Sequence, residues 1–185
     1  MFNCVSQEKF DILKKRWEQE LAAGYPNIDE RIVTTLKRFN TLPGVVSVWS
    51  CSGHTYKEME LKGQSDFYKP LQDRYITFVI SPDAHRVFEG FEQYLREMDR
   101  TDWGLFRPEL IAQHLGWCFD TDPETGRVIV TMQTYPCWTL KIHHNNLSGK
   151  RKDRKMAQVI AEAMESAWAR MIDYLVDYCG AQHDA

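Results

Sequence analysis

Apolar positions in this chain recur at helical spacing in some stretches and alternate with polar ones in others, so helices and strands interleave. Phe10, Leu13, Trp17 and Leu21 form one face of a first helix, with Ser6 placed to cap it and Glu8 in its opening turn. Gly24-Tyr25-Pro26 stops that helix. Asn27 and Glu30 stand in capping-box positions for a second, whose buried side is Ile32, Val33, Leu36 and Phe39. Pro43-Gly44 then turns the chain into a strand in which Val46 and Val48 alternate with Ser47 and Trp49.

The stretch from Thr55 to Arg74 is polar and of mixed charge, and reads as a long loop or a ragged hairpin. Tyr75 to Ile80 is the clearest strand of the sequence. Ser81-Pro82 starts a third helix, marked by Val87, Phe88, Phe91, Leu95 and Met98. Pro108 to Leu115 predicts a short fourth helix. Trp117-Cys118-Phe119 and Arg127 to Thr134 predict a hairpin across the turn formers Asp120 to Gly126, and Cys137 to Ile142 a further strand. A long last helix carries Met156, Ile160, Ala163, Ala167, Met171 and Leu175 in its stripe, with Gly180 as its stop.

The expected architecture is therefore α/β or α+β: a mixed sheet of four to six strands packed by amphipathic helices and closed by a long C-terminal one. A chain of 185 residues fits a single domain spanning 1–185. A net charge of −3 excludes a uniformly basic coat, so any nucleic-acid contact must be local. The five cysteines are scattered without a Cys-x-x-Cys pair, and no signal-like stretch precedes them. Both features predict reduced thiols in a cytoplasmic protein. No apolar run approaches the roughly 20 residues that span a bilayer, so no membrane partner is expected.

Two stretches carry candidate chemistry. In Ser50-Cys51-Ser52-Gly53-His54, a strand runs into small residues with hydroxyls, a thiol and an imidazole. Gly53 allows a tight turn, and successive backbone N–H groups in such a turn make an anion-binding concavity. Binding through Ser50, Cys51, Ser52 and Gly53 is favoured over covalent catalysis, because nothing orients His54 toward the Cys51 thiol. The second stretch is Lys150-Arg151-Lys152-Asp153-Arg154-Lys155. Cations at a helix start oppose the macrodipole, so Lys150, Arg151 and Lys152 are placed as if for an anionic partner such as a phosphate backbone. Cys51, His54, His143 and His144 are ligand types for zinc, but no pair has knuckle spacing, and no metal is assigned. His143 and His144 fall on opposite faces of a continuing strand.

The order Phe10…Lys14…Leu21, Ile28-Asp29-Glu30…Ile32…Leu36…Asn40…Pro43 and Ser50-Cys51-Ser52-Gly53 resembles the wybutosine-synthesising tRNA methyltransferases. Gly126 to Val130 and Trp138 to Ile142 are similar to that family's late strand pair. The resemblance implies an α/β fold, S-adenosylmethionine as cofactor, and methyl transfer to a hypermodified tRNA base. Its matching site positions are Asp29, Ser50, Cys51, Ser52 and Gly53. The family's arginine after the glycine is His54 here, and Ile80-Ser81-Pro82 stands where the family has a histidine. Catalytic candidates are then His54, as polar contact or proton acceptor, and Asp29, which as a helix-start acid also has a structural role. Two functions follow: an RNA- or nucleotide-binding protein with methyl transfer, or a non-enzymatic nucleotide or RNA binder of viral or mobile-element type that keeps the pocket alone.

Overall fold

Helix α1 (Gln7–Ala22) opens on Ser6, whose Oγ accepts the Lys9 amide at 3.2 Å, as the sequence predicts. The structure, a computed structural model, describes residues 4–24, 30–53, 73–97, 106–114, 117–121, 125, 128–132, 135–144 and 151–183. Helix α2 (Glu30–Phe39) buries Ile32, Leu36 and Phe39. Strands β1 (Val45–Cys51) and β2 (Arg74–Ile80) come next. A 3-10 turn (Pro82–Ala84) leads into α3 (His85–Glu97). Then come β3 (Phe106–Gln113), β4 (Trp117–Thr121), β5 (Val128–Met132), β6 (Cys137–His144) and α4 (Arg151–His183).

Four strands pair in the order β1-β2-β6-β3, every pair antiparallel, and β4 and β5 form the separate hairpin expected around Asp120 to Gly126. The expected α/β or α+β fold, with its long last helix, holds, and every described strand pairing is antiparallel. Alternation along the strands sends side chains to two cores. Val45, Ile76, Phe78, Ile80, Trp138, Leu140 and Ile142 pack against α2, α3 and α4. Val46, Val79 and Cys137 face the other way, onto Phe10 and Leu13 of α1. Phe78 sits between Phe39 and Phe88 at centroid distances of 4.9 and 5.1 Å, in the edge-on and tilted arrangements that aromatic rings favour. The β1–β2 register slips between Ser47 and Trp49, a bulge at Val48.

Three readings of the sequence change. Pro108 to Leu115 is not a helix: residues 106–113 form β3, fully in register with β6. Glu109, Leu110, Ala112 and Gln113 favour helix, but pairing along the whole of β6 overrides that preference. Pro108 is tolerated because β3 lies at the sheet edge, where a missing N–H breaks no ladder. The stripe of α4 is also shifted. Ala167, Met171 and Leu175 are buried as expected, but Met156 is 52% exposed and Ala163 is exposed, and Met164, Trp168 and Ile172 complete the buried face. Gly180 does not stop the helix, which runs on to His183.

Candidate anion-binding site

β1 does not end at Ser50. It continues through Cys51, with Ser50 opposite Ile76 and Cys51 opposite Tyr75. Of the four predicted binding residues, Ser50 and Cys51 are therefore strand residues on opposite faces, and Ser52 and Gly53 form the turn beyond. Gly53 has φ +73°, the left-handed conformation that its lack of a side chain allows.

Ser52 and Gly53 line a cavity of about 290 Å³ together with Arg31, Arg74, Gln158, Ala161, Glu162, Met164, Glu165 and Ser166. Three elements complete it: the first turn of α2, the first residue of β2 and the stretch of α4 from Gln158 to Ser166. Arg31 Nη2 donates to Ser52 Oγ at 3.0 Å and to Gly53 O at 3.1 Å. Those two bonds fix the turn and orient the planar guanidinium beside it. Ser52 is buried, so its hydroxyl meets a ligand only by sharing or displacing Arg31. Arg74 is buried, faces α4, and forms an ion pair from Nη2 to Glu165 Oε2. Its Nε is buried with no hydrogen-bond partner among the described residues. A buried charged donor left unpaired costs about 1–3 kcal/mol or more, so this cation is one acceptor short.

Neither arginine stands out in the sequence. Arg31 follows Glu30 at a helix start and Arg74 opens a strand, positions where a solvated charge is ordinary. Only the fold brings them to one cavity. Asp29, His54 and Lys150 lie outside the described residues, and Arg151 and Lys152 are placed in the first turn of α4 by backbone alone. Gln158 lies seven residues beyond Arg151 on the same helix, roughly 10 Å at 1.5 Å per residue. The basic start of α4 thus lies about two helical turns from the cavity-lining stretch.

A second polar group occupies the opposite face of the sheet. Asp73 Oδ2 lies 3.2 Å from Lys141 Nζ and 3.4 Å from His143 Nδ1, and His143 Nε2 lies 2.7 Å from Glu109 Oε2. The imidazole is bracketed by two carboxylates, and the group ties β2, β6 and β3 together. The sequence points to His143 but not to Asp73, Glu109 or Lys141, which only strand register makes neighbours. In the row that contains Lys141, burial and then Cys51 push the Tyr75 phenol above its ordinary pKa. Among the described residues no group of three or more His, Cys, Asp or Glu is arranged to hold a metal ion, and no helix is long and apolar enough to cross a membrane.

No family model, no curated protein and no solved structure matches the chain.

Proposed function

We propose that this protein binds phosphate-bearing ligands, a nucleotide or an RNA such as tRNA, with a phosphate seated between Arg31, Arg74 and the Ser52–Gly53 turn. The observation that carries the reading is Arg74: a buried guanidinium bordering a cavity, with Nε lacking an acceptor among the described residues. Arginine forks match phosphate oxygens in geometry as well as charge. Arg31, already holding the turn, supplies the second guanidinium. A strand approaching this seat would pass the basic start of α4, which supplies sequence-independent attraction.

S-adenosylmethionine fits the same lining poorly. The cavity lies at the lower limit of ligand pockets and can enclose one end of such a molecule. Among the described lining residues, Ala161 and Met164 are the apolar ones, too little to receive an adenine. The reading is therefore of a binder, and no methyl-transfer step is derived.

Calorimetric titration with AMP and with an unlabelled oligoribonucleotide tests it, beside an S-adenosylmethionine titration. Arg31→Ala should weaken the phosphate ligands at least tenfold while leaving the thermal midpoint within a few degrees, since Arg31 is exposed. Equal affinity in wild type and variant would overturn the assignment.

A further inference from the structure

The two ends of the Arg74–Glu165 ion pair differ in a way that bears on which phosphate is taken. The Arg74 side chain is 5% exposed and the Glu165 side chain 53%. The pair can therefore be opened from one side only: Glu165 can swing into water, while Arg74 stays in place. A ligand oxygen that reaches Arg74 must take over the position of a carboxylate that already neutralises it.

We infer that the cavity takes a terminal phosphate monoester in preference to an internal phosphodiester, with Glu165 the carboxylate that either must displace. This rests on the phosphate-binding reading and specifies its ligand class. A diester carries one negative charge. At Arg74 it exchanges one monoanion for another, gains little, and leaves the displaced carboxylate nearby as a repelling charge. A monoester near pH 7.5 carries close to two charges and three terminal oxygens. It can satisfy the Nη2 that Glu165 releases and the unpaired Nε, and still reach Arg31. Its two charges face two guanidinium groups, so it gains more than a monoanion does even with the carboxylates of Glu162 and the displaced Glu165 nearby.

Calorimetry at pH 7.5 with 5′-AMP, 3′-AMP and the dinucleoside monophosphate ApA, whose only phosphate is a diester, tests the inference. In the wild-type protein at least one monoester should bind tenfold or more tightly than ApA. Glu165→Gln, which removes the competing charge at a half-exposed position, should tighten ApA and the monoesters alike, each threefold or more. If ApA and the monoesters bind the wild type alike and Arg31→Ala weakens both, the selectivity is overturned and the phosphate reading stands. Affinities that Glu165→Gln leaves unchanged overturn the role of Glu165. If no phosphate compound binds, or Arg31→Ala changes nothing, both proposals fall together.

Discussion

Gly44 and Ser81 occupy one another's space. The Ser81 amide donates to Gly44 O at 2.8 Å, and a Cβ built at Gly44 would lie 2.4 Å from Ser81 Oγ and 2.9 Å from Ala84 Cβ. Gly44 also has φ +67°. The entry to β1 and the exit from β2 are thus locked together by a residue with no side chain. Gly44→Ala combines left-handed strain of about 1–2 kcal/mol with overpacking of about 1–3 kcal/mol. We expect a loss of about 2–5 kcal/mol, read from the midpoint of urea unfolding.

Asn40 performs a similar task where α2 meets β1. Its Nδ2 donates to Leu36 O at 2.7 Å and to Ser47 Oγ at 2.8 Å, and its Oδ1 accepts the Ser47 amide at 2.7 Å. Ser47 is buried, so Asn40→Ala leaves its N–H without an acceptor. The expected cost is about 2–3 kcal/mol. Asn40→Asp keeps that acceptor but sets a carboxylate oxygen against Leu36 O in place of the donor, so it should recover less than half of the loss in the same denaturation experiment.

The thiols should separate by exposure. Cys4 and Cys51 are half-buried, whereas Cys137 and Cys179 are buried. Burial also pushes the Cys179 thiol up to about 11. With N-ethylmaleimide at pH 7.5, mass spectrometry should show Cys4 and Cys51 modified at least tenfold faster than Cys137 and Cys179.

The same shift sets the sign of alkaline stability. The Cys179 thiol rises from 9.0 to about 11 on folding, so the folded state holds its proton longer. That contribution is complete below pH 9 and is lost as pH rises toward 11. Burial first, then the neighbouring Cys179, also raises Tyr178, which acts in the same direction. The thermal midpoint should fall across this interval, and Cys179→Ala should show a smaller fall than wild type.

Replacing Lys150, Arg151 and Lys152 together by Gln tests the basic start of α4 without touching the cavity lining. If three phosphates lose their partners, the slope of log affinity for single-stranded RNA against log salt should flatten by about 2. AMP binding should change little.

Local signals are the legible ones in this sequence. Ser6, the Phe10–Leu13 pair and the Tyr75–Ile80 run announce their elements, because a cap, a helical period and an alternating β-prone run act within a few residues. The Ser52–Gly53 turn is also visible in the sequence. Its immediate company is not, because Arg31 and Arg74 reach it only once α2 and β2 are docked on either side. Pro108 to Gln113 shows the converse: a segment of helix-favouring composition becomes a strand because β6 is there to pair with it. The Asp73, Glu109, Lys141 and His143 group depends on strand order, which no short window contains.

The extra residue at Val48 decides on which side of the sheet the chain arrives. Val46 points toward α1. Uninterrupted alternation would carry Val48, Ser50 and Ser52 to that side too. Because β1 skips a beat there, Trp49 and Cys51 take the α1 side instead, and Ser52 emerges beneath α4 beside Arg74. A β1 that kept Val48 but paired it in regular alternation would leave the sheet's composition untouched and deliver the serine to the wrong surface.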